Sequence, residues 1–198
     1  MKTTGPSLLL LVALALGSAL PAFATTVIAP EFDQLVAQAD YVVRAKVTAI
    51  NSEWREVNGQ RHIFTFVTLA VKKIIAGTPP QPLVLQLLGG RVGEDEMTID
   101  GAPKFKVGDE DILFVRGNGT QFFPLVALMH GRYPVKTDAK TGREYVARNN
   151  GEALQDAKQV AEPMRSPAAR AAAEALSPDA FATKIRAAFE TSHPQQPR

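Results

Sequence analysis

The 198-residue chain contains no cysteine. That single absence excludes a disulfide framework, a thiolate zinc site, a thiol nucleophile and the lipidated cysteine of a bacterial lipoprotein. Histidine is nearly as scarce: His62, His130 and His193 stand apart, with no H-E-x-x-H and no pair at helical spacing to hold a metal. No serine sits in a G-x-S-x-G elbow, so the strained turn that presents a hydrolase nucleophile is missing too. Neither charge sign dominates, because 22 Lys and Arg face 20 Asp and Glu. A clustered basic face, the electrostatic footprint of a nucleic-acid binder, is therefore not expected. Lys72-Lys73 is the densest basic spot and reads as a solvated strand end.

Long apolar runs are absent except at the start. Lys2, the apolar residues 8–16 and Pro21-Ala22-Phe23-Ala24 before Thr25 have the charge, apolar core and small-residue cleavage layout of a secretory signal. The expectation is a signal peptide over 1–24, cleavage between Ala24 and Thr25, and a periplasmic or secreted product. The apolar core falls short of the roughly 20 residues that span a bilayer, and no later segment approaches that length, so no membrane span is expected after cleavage. The remaining 174 residues (198 minus 24) suit one domain with appendages.

What is present is β-chemistry. Phe32, Leu35, Val36 and Ala39 recur at helical spacing, predicting a short helix that ends near Asp40. Residues 41–50 alternate, with Val43, Ala45, Val47 and Ala49 on one face and Arg44, Lys46 and Thr48 on the other, which predicts a half-buried strand. Asn58-Gly59 tolerates positive φ at both positions and predicts a type I′ hairpin into a long strand over 60–75. Pro79, Pro80 and Pro82 mark a turn before a strand at 83–88. Further strands are expected at 111–115, 122–128, 131–135 and 144–147, with turns at Gly117-Asn118-Gly119 and 138–142. The pattern predicts a mainly β fold, a small antiparallel β-barrel of OB type over 25–148, with a short N-terminal helix.

From about Asn149 alanine rises and aromatics thin out, giving an Ala- and Pro-rich tail, 149–198. Ser177-Pro178-Asp179 is a helix start, Ser as N-cap and Pro at the first helical position. The predicted helix, about 178–190, places Phe181, Ile185, Ala188 and Phe189 on one face, which calls for docking back onto the β-domain. Residues 192–198 read as a disordered end.

The segment 89–106 invites a ligand. Gly89-Gly90-Arg91-Val92-Gly93 is no phosphate cradle, because a helix N-terminus must follow the glycines and the acidic run Glu94-Asp95-Glu96 repels anions. Those carboxylates, with Asp100, Asp109, Glu110 and Asp111, supply oxygen enough for calcium but lack the D-x-D-x-D-G spacing of a calcium loop. They read as solvated turn charges; no metal and no cofactor are expected. Arg91, Glu94, Asp95 and Glu96 are the candidate binding residues on this loop. Phe64 and Phe66, on one face of the 60–75 strand, join them, since exposed aromatics stack on planar rings. Trp54 and Tyr133 are further candidates for that surface.

The stretches "LVAQADYVVRAKVTAINSEW", "IFTFVTLAVKKIIAGTPP", "GGRVG", "GAPKFKVGDEDILFV" and "LMHGRYPV" together resemble a family of uncharacterised exported bacterial proteins. The resemblance covers about residues 32–135 and rests on turn and core residues. Ala76-Gly77 stands where that family has Lys-Gly, and Asp109-Glu110-Asp111 is more acidic than its pattern. The arrangement is also similar to the OB-type barrel of netrin-like modules and tissue inhibitors of metalloproteinases. Those inhibitors place an N-terminal cysteine on the target's zinc, a residue this chain lacks. The expectation is a noncatalytic binding module of the cell envelope with an exported or envelope protein as partner. The alternatives are a modulator or inhibitor of an exported protease, and a metal-dependent enzyme using Glu94, Asp95 or Asp100.

Overall fold

The computed structural model describes residues 28–163 and 172–194, so the expected signal peptide and its cleavage site lie outside the described residues. Helix α1, Phe32–Ala37, buries Leu35 and Val36. It leads into two long strands, β1 (Tyr41–Val57) and β2 (Gln60–Gly77). The turn between them is Asn58-Gly59, with φ of 52° and 77°, the left-handed pair that a type I′ turn requires. Three register shifts interrupt the β1–β2 ladder, between Val42 and Val43, Arg44 and Ala45, and Val47 and Ala49. Each extra residue bends its strand and raises the twist, so strands this long coil rather than lie flat.

The remaining strands are β3 (Leu83–Leu88), β4 (Gly90–Val92), β5 (Asp95–Met97), β6 (Glu110–Val115), β7 (Arg132–Thr137) and β8 (Glu144–Val146). Six form one antiparallel sheet in the order β3-β2-β1-β6-β7-β8, and β4 and β5 make a separate hairpin. The mainly β, antiparallel architecture expected from the sequence is what the chain adopts. The barrel does not close, however: β3 and β8 sit at opposite edges and do not pair.

What meets β3 instead is the loop after β6. Asn118 Nδ2 donates to Val84 O (2.8 Å) and its Oδ1 accepts from Gln86 N (3.1 Å), while Leu88 N donates to Phe122 O (2.8 Å). One side-chain amide thus takes the place of a neighbouring backbone. The strand expected over 122–128 is absent for a related reason. Pro124 brings no N–H, Ala127 and Leu128 have positive φ, and only the bridge Val115–Leu125 remains before a 3-10 turn, Leu128–Gly131. Replacing Asn118 with Ala leaves the Gln86 N–H and the Val84 C=O without these partners. A loss of about 1–3 kcal/mol is expected in urea denaturation, without loss of the fold.

The sheet has a core on each face. Val43, Ala45, Val47, Val67, Leu69, Leu83, Leu85, Leu87, Leu113 and Val115 meet on the inner side, with Phe105 packed against them. Val42, Ile75, Ile112, Phe114, Tyr133 and Val146 point the other way, toward α1 and the C-terminal helix α2, Pro178–Ser192. Ser177 Oγ accepts from Ala180 N (3.2 Å), so the expected cap is in place. Phe181 and Ile185 are buried and Phe189 packs against the same cluster, so α2 docks on the sheet through the face read from its sequence. Residues 148–163 are held by buried Arg148, which pairs with Glu152 (3.2 Å) and donates to the carbonyl oxygens of Val160, Glu162 and Pro163. Among the described residues no helix is long and apolar enough to cross a membrane.

Candidate functional site

The chain between β3 and β6 is tied to the sheet by hydrogen bonds at both ends, and its middle packs against β1 and β2. At the first end, Gly89 N donates to Ile63 O (2.7 Å), and the Thr65 hydroxyl donates to Gly89 O (2.7 Å). The Thr65 proton is thereby spent, so Ser52 Oγ, 2.9 Å away, donates to Thr65 Oγ1. Gly90 lies so close that a Cβ there would sit 2.2 Å from Thr65 Oγ1 and 2.6 Å from Ser52 Oγ. Glycine is required at this position by that approach, not by any phosphate. The loop then forms the β4–β5 hairpin where the sequence suggested irregular chain.

The second end is held by a buried cation. Arg132, at the start of β7, donates from Nε to Asp111 Oδ1 (2.9 Å), from Nη2 to Asp109 Oδ2 (2.7 Å), and from Nη1 to the Lys104 carbonyl. Its guanidinium carbon lies 4.4 Å from the centre of the Phe105 ring. Asp111 is 1 % exposed and its Oδ2 has no hydrogen-bond partner. Burial pushes the Asp111 carboxyl above the usual range, and the Arg132 charge opposes that rise. Asp109 completes the clamp: its Oδ2 accepts from Lys106 N (2.9 Å), its carbonyl accepts from Val47 N (2.8 Å), and Gly108 N donates to Val47 O (2.9 Å).

Between the two ties a groove of about 220 Å³ opens. Val67, Leu87 and Phe105 contribute its apolar floor, Met97 and Ile99 its outer wall, and Glu96, Thr98, Thr65 and Lys104 its polar rim. It is smaller than the roughly 300 Å³ at which small-molecule pockets begin. A large side chain suits that space better than a whole cofactor. Two broader depressions flank α2, but their walls alternate apolar residues with charges such as Arg186, Glu190, Lys158 and Lys184 and converge on no floor.

The residues singled out from the sequence fall in different places. Arg91, Glu94, Asp95 and Glu96 are all exposed on the β4–β5 hairpin, and Glu96 alone lines the groove. Arg91 donates to Gly93 O (3.3 Å) and faces Glu96 across the hairpin. Phe64 is 1 % exposed and packs on Phe122 (ring centres 6.2 Å), which removes it from any exposed stacking surface. Tyr133 is buried under α2 and leaves that surface for the same reason. Phe66 is half-buried beneath the Arg55 guanidinium (5.2 Å), and Arg61 lies 4.6 Å from the Trp54 ring. Among the described residues no three His, Asp or Glu side chains converge to hold a metal, and Glu94, Asp95 and Asp100 form no such group.

Sequence reasoning missed Arg132 and took Asp111, which is buried, for a solvated turn charge; it also missed Thr65 and Phe105. A signal existed for the first two: Asp111 opens an otherwise apolar strand, and Arg132 interrupts the apolar run before Tyr133-Pro134-Val135. Isolated charges in core strands are buried only when paired. No family model matches the chain, and no curated protein matches it.

Proposed function

We propose that the chain is an exported, noncatalytic binding module of the bacterial cell envelope that holds an apolar side chain of a protein partner in the groove beneath the segment 89–105. The observation that supports this reading is the groove itself: an apolar floor, a polar rim, and a covering segment clamped by hydrogen bonds at both ends. Clamped ends keep the floor preformed, which lowers the ordering cost of binding. The signal-like residues 1–24 supply the compartment.

The test is crosslinking in cells of the C-terminally tagged protein, followed by mass spectrometry. Ile99→Arg places a charge in the outer wall at a half-buried position. It is expected to remove the captured partner while shifting Tm by no more than about 3 °C, as peripheral substitutions do. Arg91→Ala is expected to weaken the same capture. An unchanged capture by Ile99→Arg overturns the groove as the site. Capture of an exported protease whose turnover the protein slows would move the reading to a protease modulator.

A further inference from the structure

The edge of β1 that faces away from β2 is occupied only in its first part. β6 pairs with residues 41–46, and Asp109 O and Gly108 N take the N–H and C=O of Val47. From 48 to 57, no backbone hydrogen bond forms on that side among the described residues. Unpaired strand edges are templates for another strand, and proteins protect them by covering, prolines, lysines or bulges. Three other edges of the six-stranded sheet are protected. Asn118 and Phe122 cover β3, Val146 of β8 exchanges hydrogen bonds with Leu154 and Leu176, and residues 70–77 of β2 carry two register shifts and Lys72-Lys73. The 49–57 edge, AINSEWREV, has no proline, glycine or lysine, and its nearest bulge lies before it.

Its charges also select a partner. Glu53 and Arg55 lie on one face of the strand and pair with each other at 2.5 Å. If two copies align antiparallel about a two-fold axis at Trp54, Arg55 of each copy stands opposite Glu53 of the other, and Ser52 opposite Glu56. Centring on Glu53 or on Arg55 sets like charges face to face, and centring on Ser52 pairs Glu53 with Asn51. Only the Trp54 register joins opposite charges twice, in line with the preference of cross-strand neighbours. We propose that this edge is a self-association surface, where a second copy of the chain adds its β1 antiparallel over residues 51–57 to make one continuous sheet. The contact is isologous, as closed dimers require, and small, so the dimer is concentration-dependent.

The experiment is sedimentation of the purified protein over a concentration series, with charge variants. The wild type is expected to shift from monomer to dimer. Arg55→Glu and Glu53→Arg, each alone, oppose like charges and are expected to weaken the dimer about tenfold or more. Mixing the two variants restores opposite charges across the axis and is expected to recover dimer, a result that loss of the pair within one strand cannot imitate. Because the protein has no cysteine, Trp54→Cys supplies an independent measurement. Directly opposed Cβ atoms lie about 4.5–5.5 Å apart, near disulfide range. Oxidation is expected to give a covalent dimer with Trp54→Cys and little with Ile50→Cys. A protein monomeric throughout the series, with neither rescue on mixing nor crosslinking at position 54, overturns the proposal.

Discussion

Replacing Arg132 with Leu is expected to lower the unfolding free energy by about 3–5 kcal/mol, the usual cost of stripping the partner from a buried charge. The substitution leaves Asp111 1 % exposed without its hydrogen-bonded cation and with an Oδ2 that already lacks a hydrogen bond. It also frees the Lys104 carbonyl and Asp109, and so loosens the end of the loop that places Phe105 in the groove. The loss should depend on pH with a definite sign. Burial holds the Asp111 carboxyl above its ordinary value, and without Arg132 the main opposition to that rise is gone, leaving only the weaker pull of the Lys136 charge. A carboxyl whose folded pKa exceeds its unfolded one takes up a proton on folding, so stability rises as pH falls through the folded value toward the unfolded one. The deficit of the variant, measured by urea denaturation at pH 7 and pH 5, is expected to shrink at the lower pH. A second change, Asp111→Leu, removes the stranded charge and is expected to recover most of the loss. An equal deficit at both pH values would place its origin elsewhere.

Phe181→Ala is expected to cost a similar amount, about 3–5 kcal/mol, by a different route. Phe181 is fully buried, with ring centres 5.3 Å from Tyr133, 5.9 Å from Phe32 and 6.2 Å from Phe114. It joins both helices to the outer face of the sheet, so its removal leaves a cavity at their common contact. The exposed pair Lys73–Asp179 adds little to replace it. Hydrogen exchange is expected to show α2 opening first, with the inner core around Val43 and Leu85 still protected. A loss below about 1 kcal/mol would mean that Ile185 and Phe189 anchor the helix alone.

Much of this framework was legible residue by residue. Alternation over 41–50, the Asn58-Gly59 turn, the apolar strands at 83–88 and 111–115, and the capped helix from Pro178 with its apolar face all appear where their local chemistry puts them. These features depend on side-chain period and on the backbone freedom of a few turn residues, which neighbours along the chain decide. The misreadings share a cause. The run 122–128 has strand composition, yet Pro124 cannot join a ladder and the contacts around Ala127 and Leu128 hold both at positive φ. Phe64 sits on a face that the alternation marks as outward, but Phe122, 58 residues later, covers it.

The sequence alone therefore determined the class of fold, the hairpins at Asn58-Gly59 and at 138–142, the helix faces and the absence of cysteine chemistry, because each follows from local periodicity, turn stereochemistry or composition. The tertiary structure decided whether the sheet closes, which aromatics are covered, that Asp111 and Arg132 are a buried pair, and where the groove and the open edge of β1 lie. Those depend on contacts between residues 21 to 100 positions apart, such as Asp111–Arg132, Gln86–Asn118 and Arg44–Glu144. Pairings of that kind are set by how a twisted sheet curls and by which face finds cover, and no local pattern encodes them.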